Sequence, residues 1–248
     1  LQQTPVNRVL PKWNEWIERW PTPKNLAEAT PAQVITAWGR LGYPRRALRL
    51  HAAAQIISED FNNKVPEDQE TLQLLPGIGE YTAAAIAAFA FEQRSLVMDV
   101  NIRRLLVRAI DGEEHPKPAP TAKEKARRLA ILPTKNAHVW AAATMELGAL
   151  VCTSKNPSCE LCPIIGQCQW RKNGYPKTDL VRKSQDWHGT DRKCRGTIVQ
   201  ALRDNESLTE SAIKKLWPDE SQVEKALKTL LEDQLIQALP RRRYRLPQ

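Results

Sequence analysis

The sequence has few aromatic residues and no long apolar run. Aromatic residues make up only 6% of its 248 positions, and 8 of them are tryptophan, so a core must be built mainly from Ala, Leu, Ile and Val. That composition favours helices. The most apolar stretch begins at Tyr81 and already ends at Glu92, short of the roughly 18 residues that a membrane span needs. The sequence therefore excludes an integral membrane protein.

The first residues carry no targeting signal. A positively charged segment followed by an apolar one is absent, so nothing indicates secretion, and we expect a cytoplasmic, intracellular protein. The opening residues Leu1 to Thr4 are typical of the middle of a helix without a cap. We therefore expect that the chain has lost its natural beginning.

Acidic residues are fewer than basic ones, and the excess is uneven. The net charge is +9, which suits a polyanionic partner better than an acidic small molecule. Residues 169–248 contribute 6 of these charges and residues 1–168 only 3. Charge alone leaves nucleic acid and other partners equally open.

Apolar residues recur at helical spacing along the first part of the chain, which predicts an all-α fold. The predicted helices cover 6–20, 30–38, 46–60, 67–75, 80–91, 102–110, 123–130 and 137–147. A polar stretch, 173–190, predicts a linker. Beyond it, helices at 195–203, 209–217 and 221–233 and strands at 235–239 and 243–246 predict a small winged-helix-like α+β tail over 191–248.

Four cysteines lie within 17 residues, with the spacing C-x6-C-x2-C-x5-C: Cys152, Cys159, Cys162 and Cys168. In a chain without a secretory signal this pattern indicates a metal site rather than disulfides. Four thiolates can hold a [4Fe–4S] cluster or a zinc ion. We favour the cluster, because zinc ribbons usually supply two C-x2-C pairs. Lys155, in the loop between the first two cysteines, is either held towards a phosphate or a solvated surface residue.

A glycine-rich turn joins two predicted helices in the middle of the chain. It contains Pro76, Gly77, Ile78, Gly79 and Thr82, within the sequence LPGIGEYTA. Two glycines allow a turn with positive φ whose backbone N–H groups, together with the next helix N-terminus, can bind a DNA phosphate. This is a helix-hairpin-helix signature.

Asp99 stands inside an apolar run, where a carboxylate is costly unless it is hydrogen-bonded or functional. It is either the N-cap of the helix that follows, or a catalytic acid, or both. Arg103 and Arg104 come next and either contact phosphates or lie on a solvated helix face.

The hairpin, the aspartate and the cysteine loop follow one another about 20 and then about 50 residues apart. In this order they resemble the helix-hairpin-helix DNA glycosylases of the endonuclease III superfamily, over roughly residues 1–170. The segments LQQT at 1–4, GY at 42–43, MDVN at 98–101 and MELGA at 145–149 resemble the A/G-specific adenine glycosylases, the MutY family. The domain over 1–172 is therefore expected to have the glycosylase fold, with the cysteine loop at its end.

The resemblance implies a role for each matching residue. Asp99 matches the aspartate that stabilises the oxocarbenium-like sugar, and Asn101 matches the partner that orients it. Tyr81 stands where bifunctional relatives carry a Schiff-base lysine, so strand cleavage is not expected. Gln3 and Tyr43 match residues that fill the duplex when adenine is extruded, although Tyr43 can also be a turn aromatic that packs on a helix.

The resemblance further implies a [4Fe–4S] cluster and, as partner, double-stranded DNA with an adenine mispaired with 8-oxoguanine or guanine. A monomer is expected. The family's second catalytic carboxylate, a glutamate that protonates the leaving base, is expected three residues before Leu1, outside this sequence. The 58 residues of the tail, 191–248, are too few for the Nudix-like domain with which many members end.

Two other functions remain open. One is a thymine- or uracil-removing mismatch glycosylase, since those relatives share the tyrosine, the aspartate and the cluster. The other is a non-catalytic winged-helix regulator in which the cluster senses redox state or iron, although that reading leaves the hairpin and Asp99 unexplained.

Overall fold

The computed structural model describes residues 4–178 and 189–248. Helices dominate, as the composition predicts. The described α-helices are α1 Val6–Arg19, α2 Pro23–Ala27, α3 Pro31–Trp38, α4 Arg45–Asp60, α5 Gln69–Leu74, α6 Glu80–Phe91, α7 Val100–Leu106, α8 Ala122–Ile131, α9 Ala137–Leu150, α10 Gln169–Lys172, α11 Asp191–Asp204, α12 Glu210–Lys214 and α13 Glu220–Glu232. The strands are β1 Leu208–Thr209, β2 Gln237–Leu239 and β3 Arg243–Arg245.

Three short elements and one helix end differ from the sequence-based expectation. Pro23 begins α2 rather than only ending the segment before it, because a proline fits the first helical position and the Thr22 side chain caps that helix. The predicted helix 102–110 changes after Leu106 into a π-helical turn, Val107–Asp111. Helix α10 and strand β1 have only four and two residues, too few to leave a periodic pattern.

The chain divides into two compact units. The first contains residues 1–66, 75–77 and 183–248, and the second contains residues 67–74 and 78–182. The division falls inside the glycine hairpin and inside the stretch expected to be a linker, part of which lies outside the described residues.

In the first unit, the C-terminal residues share a core with the N-terminal helices. Ile35 of α3 is fully buried in one cluster with Ile198 of α11 and Leu230 of α13. A second cluster in this unit surrounds Trp38 and Ala47. The tail is therefore packed onto α3 and does not have a core made only of its own residues.

The tail has the element order of a winged helix: α11, β1, α12, α13, then β2 and β3. The strands form one antiparallel sheet in the order β1-β3-β2, with Tyr244 opposite both Leu208 and Ala238. This confirms the predicted α+β character of the tail and adds β1, which the sequence did not reveal.

In the second unit, small side chains bring α6, α7 and α9 together. Ala84 and Ala88 of α6, Ile102 of α7 and Ala141 of α9 are all buried in one cluster. Alanines let helix backbones approach closely, so the start of α7 is held firmly between its neighbours. Among the residues that the structure describes, no helix is both long and apolar enough to cross a membrane.

The shared core of the first unit predicts a large effect of truncating Ile198, which is fully buried. Ile198→Ala removes buried methyl groups and leaves a cavity, so the free energy of unfolding should fall by about 2–5 kcal/mol in urea denaturation. Leu231→Ala, at a side chain that is 36% exposed, is the control and should cost clearly less. Equal losses in the two variants would contradict the shared core.

Candidate active site

Asp99 is the N-cap of α7. Its Oδ1 accepts a hydrogen bond of 2.6 Å from the backbone N–H of Asn101, and its backbone is extended. The capping role that the sequence left open is therefore observed. A carboxylate offers about four acceptor positions, so this bond fixes the group without exhausting it.

Tyr81, in the first turn of α6, shares its surroundings with Asp99. Burial, and then the nearby Asp99 carboxylate, raise the pKa of the Tyr81 phenol above its ordinary value. The phenol is neutral at physiological pH and is 37% exposed. It is a hydroxyl beside the carboxylate and offers no amine for a Schiff base.

Arg104 connects Asn101 to the cysteine loop. One guanidinium nitrogen donates to Asn101 Oδ1 at 2.8 Å and to the Gly148 carbonyl at 2.5 Å, while Nε donates to the Cys152 carbonyl at 2.7 Å. Arg104 is buried, with 7% of its surface exposed. The sequence left this arginine between a phosphate contact and a surface residue, and in the structure it holds three parts of the unit together.

Gly148 is required by the close approach of α9 to α7. A Cβ at this position would lie 2.5 Å from the Asn101 carbonyl oxygen, much closer than real Cβ contacts. The sequence analysis gave Gly148 no role of its own. The available signal was a glycine inside an otherwise alanine- and leucine-rich helix, which usually has a packing reason when it is kept.

Arg103 does not lie on a solvated face. It is 5% exposed, forms a two-point ion pair with Glu124 at 2.8 Å, and donates to the Lys117 carbonyl. The hydrogen bond from Arg103 lowers the pKa of Glu124. Because this guanidinium is buried and neutralised, we no longer include Arg103 among the DNA contacts.

The hairpin has the backbone that its glycines predict. Gly77 has φ of +80°, and a Cβ there would lie 2.8 Å from Cβ of Arg49 on α4. Gly79 is the N-cap of α6, whose first turn has no side-chain cap. Ile78 and Pro76 are half-buried, and Thr82 lies in the first turn of α6. The first turn of α6 is thus not capped by a side chain of its N-cap residue.

Tyr43 is presented on a turn of unusual backbone conformation. It is 60% exposed and has φ of +50°, a strained value for a residue with a side chain. Gly42 before it has φ of +84°, and its carbonyl accepts a hydrogen bond of 2.9 Å from Trp38 Nε1. The ring is thus largely exposed, with the guanidinium groups of Arg46 on α4 and Arg192 on α11 beside it. Gln3, the other residue expected to fill the duplex, lies outside the described residues.

The four cysteines that were expected to bind metal line one small cavity: Cys152, Cys159, Cys162 and Cys168. Burial raises the pKa of the Cys159 and Cys162 thiols, and the other cysteines raise it further. Within the described residues, no three His, Cys, Asp or Glu side chains are arranged to hold a metal ion. The four cysteines therefore share one space without forming a complete metal site in this structure.

Arg108 supplies a buried positive charge beside these sulfur atoms. It is 1% exposed, donates to Cys152 Sγ at 3.4 Å and to the Thr153 carbonyl at 2.8 Å, and lies over the Trp170 ring at 4.6 Å. The sequence alone gives no sign of this role. An arginine cannot be neutralised by losing its proton, so these carbonyl, sulfur and ring contacts compensate its burial.

Lys155 is exposed in the loop between Cys152 and Cys159. Thr153 Oγ1 donates to the Lys155 carbonyl at 2.7 Å and closes the turn. This geometry presents the lysine to solvent, as either interpretation of the sequence requires.

Residues 1–130 match the model of the HhH-GPD superfamily of base excision DNA repair proteins. The chain belongs to this superfamily. One relative of it, the adenine DNA glycosylase of Mycolicibacterium smegmatis, is 44% identical over 99% of this chain and 84% of its own length. The adenine DNA glycosylase of Mycobacterium tuberculosis is 45% identical over 100% of this chain and 82% of its own.

Solved structures show the HhH-GPD fold as well. The structure of a thermostable thymine-DNA glycosylase covers 70% of this chain and 80% of its own, with a TM-score of 0.64 and 20% identity. At that identity the likeness concerns the fold alone.

The contact at Gly148 generates a prediction for this HhH-GPD chain. Gly148→Ala should lower the free energy of unfolding by about 1–3 kcal/mol, because the added methyl group forces α9 away from the first turn of α7. The matched control is Gly196→Ala, a glycine inside α11 with nothing within 4 Å of its would-be Cβ. That change should be neutral or stabilising by up to about 1 kcal/mol. Thermal unfolding of both variants tests this, and an unchanged Gly148→Ala protein would rule out the tight approach.

Proposed function

We propose that the chain is an adenine DNA glycosylase of base excision repair, which hydrolyses the N-glycosidic bond of adenine mispaired with 8-oxoguanine or guanine. One observation carries the proposal: the Asp99 carboxylate is fixed at the start of α7 by the Asn101 N–H, and its charge acts on the Tyr81 phenol. Adenine DNA glycosylases of two mycobacterial species match almost the whole chain, which supports adenine as the base.

Asp99 is proposed to stabilise the positive charge that develops on the deoxyribose as the base leaves. A carboxylate that is already fixed in place needs little reorganisation when the charge appears, and such preorganised electrostatic stabilisation is a large term in many enzymes. The Asn101 N–H fixes Asp99 directly, and the Asn101 side chain is in turn held by Arg104. Tyr81 makes the enzyme monofunctional, because a phenol cannot form an imine.

The DNA contacts are proposed for backbone and side chains that face solvent. The hairpin Pro76–Gly79 and the first turn of α6, with Thr82, offer N–H groups to a phosphate. Lys155 offers a positive charge from the cysteine loop, and Tyr43 an exposed ring that can fill the space of an extruded base.

A [4Fe–4S] cluster is proposed as the group held by Cys152, Cys159, Cys162 and Cys168. Four sulfur donors around one cavity, with the spacing C-x6-C-x2-C-x5-C in the sequence, support it. The buried Arg108 guanidinium offsets negative charge at the thiolates. Bound there, a cluster supplies cross-links between segments of the loop and a redox-active centre, and this chain's own part is to place Lys155.

The catalytic role predicts that Asp99→Asn loses base release. In a protein that carries the expected upstream glutamate, single-turnover release of free adenine from A opposite 8-oxoguanine should fall by about 10²-fold or more. Affinity for the duplex should stay within a few-fold, since an amide can still cap α7. The control is Glu113→Gln, the same chemical change at an exposed position of the second unit.

Adenine release by Asp99→Asn at the normal rate would disprove this role for Asp99. Release of thymine from T opposite G by the unaltered protein, with no adenine release, would instead establish the mismatch glycosylase that the sequence left open.

The charge balance at the cysteines predicts an effect of Arg108→Met. Without the buried guanidinium, the purified chain should retain less than about half of its iron and acid-labile sulfide, because uncompensated negative charge is costly in a buried site. Arg127→Met removes an arginine that is half-exposed and should leave the iron content unchanged. Iron and sulfide analysis with visible absorption provides the measurement. A colourless protein loaded with zinc would argue against the cluster itself.

A further inference from the structure

We propose that the C-terminal tail extends the DNA-binding surface, with Arg192 of α11 binding a backbone phosphate of the duplex next to Tyr43. This inference rests on the proposed function and adds to it a role for the winged-helix-like tail, which the catalytic site does not need. All residues on which it rests belong to the first compact unit.

Two guanidinium groups flank the exposed Tyr43 ring. Arg192 lies with its guanidinium carbon 5.0 Å from the ring centroid, and Arg46 of α4 lies 5.6 Å from it. One of these arginines comes from the N-terminal helices and the other from the tail, 146 positions further along the chain. Folding therefore gathers cations from distant parts of the sequence around one outward-pointing aromatic ring.

The cations continue along α4 to the hairpin. Arg46 and Arg49 are three residues apart and so neighbours on the helix surface, and Arg49 packs against Gly77. Five residues thus neighbour one another in a row: Gly77, Arg49, Arg46, Tyr43 and Arg192. We call this set the basic band. It leads from the proposed phosphate-binding hairpin to the tail.

An ion-paired triad fixes α11 against α4. The Asp233 carboxylate accepts from Arg45 of α4 at 2.9 Å and also from Arg195 of α11. Arg195 is three residues after Arg192, on the same side of α11. The triad therefore holds Arg192 in place beside the ring.

Two arginines of the basic band, Arg49 and Arg192, form no ion pair within residues 4–178 and 189–248. Asp191, next to Arg192 in sequence, instead pairs with Lys225 at 2.6 Å. The Arg49 and Arg192 side chains are both exposed, so their charges face solvent and can meet a phosphate.

Duplex DNA is the partner that this chemistry favours. A strand whose bases are parted at an exposed aromatic ring carries phosphates on both sides of the gap, and guanidinium groups bind phosphate in two-point geometry. A phosphate contact positions the duplex without reading its sequence. Arg192 should therefore contribute equally to mismatched and to fully paired DNA, whereas Tyr43 should matter most where a base is displaced.

The test measures DNA affinity of the full chain by fluorescence anisotropy. The probes are two duplexes of equal length, one fully paired and one with a non-hydrolysable 2′-fluoro adenosine opposite 8-oxoguanine. Arg192→Gln should weaken binding to both by about five- to tenfold and reduce the slope of log affinity against log salt by about one. Lys228→Gln, the same loss of charge at an exposed position of α13, should change affinity less than about twofold.

Two further variants give the experiment its selectivity. Arg192→Lys keeps the charge but loses the planar group, so it should keep the salt slope and recover part of the affinity. Tyr43→Ala should weaken binding to the 8-oxoguanine duplex more than to the paired one. Thermal unfolding of each variant establishes that the fold is intact, and Arg192→Lys serves as the test should Arg192→Gln fail to fold.

The inference would be overturned if Arg192→Gln and Lys228→Gln lost equal DNA affinity. It would also be overturned if Arg192→Gln left the slope of log affinity against log salt unchanged. Its failure and that of the proposed function are distinguishable. If DNA binding depends on Arg192 but the protein releases no adenine, the role of the basic band is supported and the proposed glycosylase activity is disproved. If the protein releases adenine but its DNA binding does not depend on Arg192, the activity is supported and the role of the basic band is disproved.

Discussion

The second unit depends above all on the hydrogen bonds of one buried guanidinium. Arg104 joins the Asn101 side chain, the Gly148 carbonyl and the Cys152 carbonyl, so the start of α7, the end of α9 and the beginning of the cysteine loop are fixed relative to one another. An arginine suits this position, because its rigid fork of five donors can satisfy several carbonyls at once. A buried carbonyl left without a donor costs about 1–3 kcal/mol, so the three bonds favour one arrangement strongly.

The same interaction links Gly148 structurally to Asp99, although the two residues are distant in sequence. Asp99 caps α7 through the N–H of Asn101, and α9 approaches that residue so closely that only a glycine fits. Any side chain at Gly148 pushes on Asn101 and thereby on the group that orients Asp99. The position of the Asp99 carboxylate is therefore set by packing as well as by its own hydrogen bond. A fixed position matters for a group that is proposed to act by preorganised charge.

Much of this architecture is predictable from the sequence, for reasons that particular residues make clear. The helices could be predicted because their apolar periodicity extends over several turns. The conformation of Gly77 could be predicted because a P-G-x-G turn leaves few alternatives. The roles of Arg103 and Arg104 on α7 and of Arg108 in the π-helical turn were not predictable, since a basic residue in a helical sequence looks the same whether it faces water or carbonyl groups. Only the fold shows that their hydrogen-bond partners include Glu124, Gly148 and Thr153.

This distinction changes how the net charge of +9 relates to nucleic acid binding. Four arginines are buried, and their charge is directed at internal partners: Arg103, Arg104, Arg108 and Arg128. Arg103 and Arg128 are directly paired with Glu124 and Asp111, so part of the basic composition is structural. The cations that face solvent include Arg49 of α4 and Arg192 of α11. Because these come from both ends of the chain, the tail adds positive charge to that of the N-terminal helices.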